Sequence, residues 1–337
     1  MLDIKITRTA TPKAKPTDET KLGFGKKFSD HMFVMDYTEG EGWHDARIVP
    51  YGPFELDPAT VVFHYAQEIF EGMKAYRTAD DTVQLFRPDC NAKRFQDSAD
   101  RLCIPKIPVE DFVHAVETLV DVDRDWVPHS DGASLYIRPF MIGTNSVIGV
   151  KPATEFEFRI FCTPVGPYFK GGLKPIKLRV SEYDRAAPHG TGHIKAAGNY
   201  AASLISGKQA KDHHCAVALF LDPATHTYVD EFGTSNFLAI TRDGKYVTTL
   251  SDSILPSITN NSLMTIAADL GMPTERRRVK ATELPDFAEV AACGTAVVLT
   301  PVGRILDGGN IIDYHLDTIG PVLKKLYDEM TGIQHGE

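Results

Sequence analysis

The apolar positions along the chain alternate between two periods. In Glu155–Cys162, Phe156, Phe158, Ile160 and Cys162 alternate with Glu157, Arg159 and Phe161, the period of a strand with one buried face. Runs of the same kind at 32–37, 46–50, 59–63, 73–76 and 134–142, each bounded by Gly, Pro or Asp, predict further strands. Two segments follow helix spacing instead: 91–103, with Phe95, Ala99, Leu102 and Cys103 on one side, and 109–126, with Phe112, Val113, Val116, Leu119 and Val120. After residue 175 the pattern predicts strands at 176–180, 216–221, 237–240 and 246–249, helices at 201–211 and 260–270, strands near Ala291 and Val297, and a last helix over 321–330. Strands and helices interleave without a strict strand–helix–strand repeat, so the fold class expected is α+β rather than a parallel sheet.

Punctuation divides this pattern. Residues 163–175 carry three Pro and three Gly, which marks a connector between two halves. The expected organisation is an arm over 1–20, a small domain over 21–163, a connector over 164–175 and a larger domain over 176–337. A chain of 337 residues can build two cores of that size.

Composition narrows the partners. Lys+Arg is 36 against Asp+Glu 45, a formal charge of -9, which gives no basic footprint for nucleic acid or an anionic membrane. The five cysteines, at 90, 103, 162, 215 and 293, include no C-x-x-C pair and suggest neither a disulfide framework nor a zinc ribbon. The polar, Pro/Thr-rich start lacks an apolar signal region, and Asp3, Asp18 and Glu19 speak against a mitochondrial leader, so a cytoplasmic location is expected. Glycine patterns at 23–27, 190–195 and 207–209 miss the spacing of nucleotide loops, and no metal site is expected from 121–126 or 213–215.

Three segments carry candidate chemistry. In His189–Tyr200 a single lysine, Lys195, stands among glycines and small residues before a helix; it is a surface charge or, if buried, an amine able to form a Schiff base and carry a proton. In Tyr228–Phe237 the acidic pair Asp230 and Glu231 opens a Gly-Thr-Ser-Asn turn, either as local caps or as a carboxylate aimed at a cofactor ring nitrogen. The loop 254–262 opens onto a helix whose free amides would suit a phosphate, and Arg94 would suit the same anion; ordinary capping and a surface ion pair are the alternatives.

Six ordered runs, Gln67–Tyr76 (QEIFEGMKAY), Leu85–Pro88 (LFRP), Tyr136–Thr144 (YIRPFMIGT), Pro164–Phe169 (PVGPYF), Lys195–Tyr200 (KAAGNY) and Asp230–Asn236 (DEFGTSN), resemble those of branched-chain amino acid aminotransferases. The resemblance runs from about residue 30 to about 325. It implies fold type IV of the pyridoxal 5′-phosphate enzymes: a homodimer of subunits with a small α/β domain, a connector and a larger cofactor-binding domain, the cofactor at their junction.

By that resemblance, Lys195 holds the cofactor covalently and then shuttles the proton between Cα and C4′. Tyr200 bonds O3′ and Glu231 pairs with the pyridine nitrogen. Arg94, Thr234, Thr295 and the backbone of Ile258 and Thr259 complete the cofactor site. The substrate pocket falls to Phe24, Tyr65, Phe70, Tyr136, Tyr168 and Ala296, with Ile148 and Val150 reaching in from a partner subunit. Arg138 meets the glutamate side-chain carboxylate, and the Thr295 and Ala296 amides the α-carboxylate.

Two departures stand out. Asn260–Asn261 follows the Ile-Thr pair where many members have Arg, so an anion contact or nearby surface charge is expected to be missing there. Val297–Thr300 replaces a redox C-x-x-C. The expected activity is reversible amino transfer from L-leucine, L-isoleucine or L-valine to 2-oxoglutarate, with no nucleic-acid or membrane partner. The alternatives are D-amino acid transamination or aminodeoxychorismate lyase activity on the same fold, or a non-catalytic ligand-binding protein.

Overall fold

A computed structural model describes residues 2–166 and 173–337, which fall into two compact units. The first comprises residues 2–166 with Lys195–Ala197 and Gln334–Gly336; the second comprises residues 173–194, Gly198–Ile333 and Glu337. Linear boundaries along the sequence do not anticipate that residues 195–197 group with the first unit.

The first unit contains strands β1 (Lys5–Ile6), β2 (His31–Thr38), β3 (Gly42–Pro50), β4 (Glu68–Phe70), β5 (Met73–Arg77), β6 (Val83–Leu85), β7 (Ser134–Gly143) and β8 (Glu155–Val165). They form one sheet in the order β1-β3-β2-β8-β7-β5-β6, with β4 also on β7. Helices α1 (Val61–Tyr65), α2 (Pro88–Arg101) and α3 (Val109–Val122) accompany it.

Alternation along β7 and β8 decides what each sheet face does. Leu135, Ile137 and Met141 of β7 join Phe156, Phe158, Ile160 and Cys162 of β8 in a core with Phe95 of α2 and Phe112 of α3. Phe158 lies 5.5 Å from Phe95 and 5.6 Å from Phe112 between ring centroids, so one strand residue joins both helices. The intervening positions, Tyr136, Arg138 and Phe140 of β7 with Phe161 and Thr163 of β8, therefore belong to the opposite face.

Some expectations change. The run at 59–63 is not a strand but leads into α1, after which Ala66 takes a left-handed φ of 49°; a five-residue apolar run is too short to distinguish the two periods. The expected helix 109–126 ends at Val122 and is followed by a short 3-10 turn, Arg124–Trp126. The amino-terminal arm is tied to the unit: Lys5 and Ile6 pair with Arg47 and Ile48, and the Thr9 amide donates to Nε2 of buried His31 at 2.9 Å. His31 Nδ1 in turn lies 2.6 Å from Asp123 Oδ1, so a buried polar pair anchors a segment whose own composition looks solvated.

The second unit contains β9 (Ile176–Val180), β10 (Val217–Leu221), β11 (Val229–Phe232), β12 (Asn236–Ile240), β13 (Tyr246–Thr249), β14 (Thr274–Arg277), β15 (Glu289–Gly294), β16 (Val298–Asp307) and β17 (Asn310–Asp313). Helices α4 (Ala197–Ala202), α5 (Leu204–Asp212), α6 (Ile258–Asp269) and α7 (Pro321–His335) follow in chain order, the first residue of α4 and the last two of α7 falling in the first unit. The strand order is β11-β10-β9-β16-β15-β12-β13-β14, with β17 on β16. An added pairing of β11 with β12, at Glu231 opposite Asn236, closes six of these strands into a ring.

Here too the structure corrects the pattern. The helix expected over 201–211 is two helices, α4 starting at Ala197 and α5 at Leu204, so Tyr200, expected just ahead of the helix, is helical. The acidic pair expected in a turn lies on β11. A four-residue strand stopped by Gly233 just beyond it offers too few positions for alternation to show. Among the described residues, no helix is long and apolar enough to cross a membrane.

Candidate active site

In the first unit the edge of α2 and the strand ends gather charge. Arg94 is held bidentately by Glu71, Nε to Oε1 at 2.7 Å and Nη2 to Oε2 at 2.8 Å. Glu71 is fully buried and also accepts from Asn91 Nδ2 at 2.8 Å and from the Gly72 amide at 3.2 Å. Burial alone would push its carboxyl up; the Arg94 guanidinium, with Lys195 and the Asn91 bond, outweighs that and holds it below the usual range.

Lys195 is placed by its backbone. Its amide donates to Ser98 Oγ at 3.0 Å, its carbonyl accepts from the Phe70 amide at 3.1 Å, and Ala196 bridges to Ile69. The half-buried side chain carries Nζ to 4.9 Å from the Phe70 ring centroid. Arg138 extends over the same ring at 4.6 Å and over Tyr136 at 5.4 Å, and its Nη2 donates to the Tyr136 hydroxyl at 3.1 Å. Its Nε is buried without a hydrogen-bond partner. Phe24 meets Tyr136 edge-on at 4.8 Å.

The first unit thus brings together Phe24, Phe70, Tyr136, Arg138, Arg94 and Lys195. Tyr65, at the end of α1, is exposed, and Ile148 and Val150, on the β7–β8 loop, are 72% and 86% exposed. Tyr168 lies outside the described residues.

In the second unit Glu231 is the centre. It is 3% exposed, accepts from Asn236 Nδ2 at 3.1 Å and from the Leu255 amide at 3.3 Å, and is in close contact with Arg185 Nη2. Burial pushes its carboxyl up to about 7 even though Arg185 and the Leu255 amide pull the other way. Such a carboxylate is short of positive charge and suits a protonated ring nitrogen.

The start of α6 suits an anion. The Ser257 hydroxyl accepts from the Asn260 amide at 3.1 Å, leaving the first two amides, of Ile258 and Thr259, outside the helix's own bonding. Asn260 itself turns inward: Oδ1 accepts from the Tyr246 hydroxyl at 2.5 Å and Nδ2 donates to Thr248 Oγ1 at 2.7 Å. The position where the resemblance leads one to expect an arginine is therefore used to fasten the helix. Tyr200 is half-buried on α4, Thr234 is exposed in the β11–β12 turn, and Thr295 and Ala296 occupy the β15–β16 turn.

Sequence reasoning assigns no role to Glu71 or Arg185. Glu71 stands within the quoted EGMKAY run, but nothing local shows that it is buried; Arg185 stands ten residues before Lys195 in a stretch with no periodicity.

Comparison with known proteins adds the context. Residues 68–305 match the family described as amino-transferase class IV. The chain is 45% identical over 331 residues to a branched-chain-amino-acid aminotransferase of Haemophilus influenzae, covering 96% of each. It resembles the solved structure of the Escherichia coli branched-chain amino acid aminotransferase with a TM-score of 0.77 at 26% identity, covering 91% of this chain and 95% of that one. A branched-chain amino acid aminotransferase from T.th., solved with pyridoxamine 5′-phosphate, gives 0.76 at 27% identity, covering 90% and 94%.

Proposed function

The chain belongs to the class IV amino-transferase family, and we propose that within it the protein transfers the amino group of L-leucine, L-isoleucine or L-valine reversibly to 2-oxoglutarate, with pyridoxal 5′-phosphate as cofactor. The observation that carries this reading is the setting of Arg138. A guanidinium lying across Phe70 and Tyr136, with a buried unpartnered Nε, offers aromatic surface to a branched side chain and a cation to the side-chain carboxylate of glutamate. Apolar walls of this kind discriminate by about 1–3 kcal/mol per methylene, which suits three substrates of similar size.

The residues fit the cofactor. Lys195 would hold it, Glu231 would face its ring nitrogen and Tyr200 its phenolic oxygen. Arg94, Thr234, Thr295 and the amides of Ile258 and Thr259 would take the phosphate side. When bound, the pyridoxal group supplies a sink for the electrons released as the substrate Cα loses its proton. Lys195 Nζ is the base that removes that proton, a task for an amine in half-buried surroundings beside the Phe70 ring. Tyr136, held by Arg138, and Phe24, edge-on to it, would add aromatic surface to the substrate side. We place the protein in the cytoplasm as a homodimer, in which a second copy would cover the exposed apolar residues Ile148 and Val150.

The test is the visible absorption of purified protein loaded with pyridoxal 5′-phosphate. L-leucine should remove the band and 2-oxoglutarate should restore it. A band that responds to D-alanine but not to L-leucine would overturn the substrate assignment, and no band at all would overturn the cofactor.

A further inference from the structure

Four segments of the second unit converge on Glu231: β11, which carries it; β12, through Asn236; the loop before α6, through Leu255; and the loop after β9, through Arg185. Arg185 is 9% exposed, and among the described residues Glu231 is the carboxylate within ion-pair reach of it. The same Nη2 also donates to the Gly192 carbonyl at 3.1 Å, while Nε is buried without a partner. Gly192 fills a tight place, since a Cβ there would lie 2.1 Å from the Ser253 carbonyl oxygen. The guanidinium therefore joins the carboxylate to a closely packed loop that leads into Lys195 three residues later.

We propose that Arg185 is a positioning residue that favours the anionic form of Glu231, aligned for the protonated ring nitrogen of the cofactor, and ties the loop preceding the lysine to that carboxylate. This rests on the function proposed above. A carboxyl buried among β-strands has little water to stabilise its charge, and none of the other groups facing it supplies a positive charge. Asp230, next on the strand, repels it, and Cys293 of β15 is a buried thiol that burial and Glu231 itself keep protonated. Asn236 and the Leu255 amide donate hydrogen bonds but no charge. Arg185 supplies the positive charge. With Arg185 gone, Glu231 protonates at a higher pH than before, so its anion is depleted at neutral pH and returns on alkalinisation.

The experiment measures pyridoxal 5′-phosphate affinity of the apo-protein by fluorescence titration across pH, for wild type, Arg185→Gln, Arg185→Lys, Glu231→Gln and the double variant that combines Arg185→Gln with Glu231→Gln. Arg185→Gln should weaken binding about tenfold or more near neutral pH, the loss shrinking as pH rises. Arg185→Lys, which keeps the charge, should retain the wild-type pH response. In the Glu231→Gln background, Arg185→Gln should change affinity by less than about twofold. A loss of equal size at every pH and in both backgrounds would overturn the proposal in favour of simple scaffolding, and so would unchanged affinity. If circular dichroism shows Arg185→Gln to be unfolded, infrared difference spectra of wild-type apo-protein against Glu231→Gln decide the matter: a carboxylate at about pH 8 supports the proposal and a protonated carboxyl overturns it. Wild-type protein that binds no pyridoxal phosphate would instead refute the proposed function.

Discussion

Gly72 shows how narrowly single residues set this site. A Cβ at that position would lie 2.1 Å from the Tyr136 hydroxyl, the atom to which Arg138 donates. Gly72→Ala must displace the tyrosine, and with it the guanidinium. The expected outcome is a fall in kcat/KM for both L-leucine and 2-oxoglutarate, by about tenfold or more, with the apo-protein still folded. Steady-state kinetics with each substrate varied in turn checks it; a loss confined to L-leucine would show that Arg138 had stayed in place. Lys195, Glu231 and Arg138 are legible from motifs, because each stands in a distinctive local run, whereas Arg94 lies outside those runs on a helix. Glu71 and Arg185 are not, because a buried counter-charge looks like any other charged residue until the fold shows what surrounds it.

At the scale of elements, the first turn of α6 is fastened by hydrogen bonds while Leu263 and Ala267 further along are buried. Asn260 links Tyr246 and Thr248 of β13, and Thr248 Oγ1 donates onward to the Phe237 carbonyl of β12 at 2.7 Å. Removing the amide leaves a fully buried tyrosine hydroxyl without its acceptor. Asn260→Ala should therefore destabilise the apo-protein by about 1–3 kcal/mol in urea unfolding. A variant as stable as wild type would mean that the helix start is held by Ser257 alone. Long periodic segments such as β8 and α3 are readable from spacing. Short ones such as β4, β11 and β14 are not, because three or four residues do not complete enough of either period, and pairing with β7, β12 and β13 decides their conformation.

For the whole molecule, the -9 charge and the exposed Ile148 and Val150 bear on assembly. Analytical ultracentrifugation of wild type should show a dimer, and Ile148→Asp with Val150→Asp should shift it toward monomer with loss of activity; a wild-type monomer would overturn the proposed assembly. By itself the sequence determined the fold class, the family and the candidate reacting side chains, since periodicity and local motifs are properties of neighbours along the chain. Tertiary structure alone decided which charges are buried together, Arg94 with Glu71 and Arg185 with Glu231, and turned Asn260 inward. Those pairings depend on desolvation, which a residue acquires only when strands and helices distant in sequence close around it.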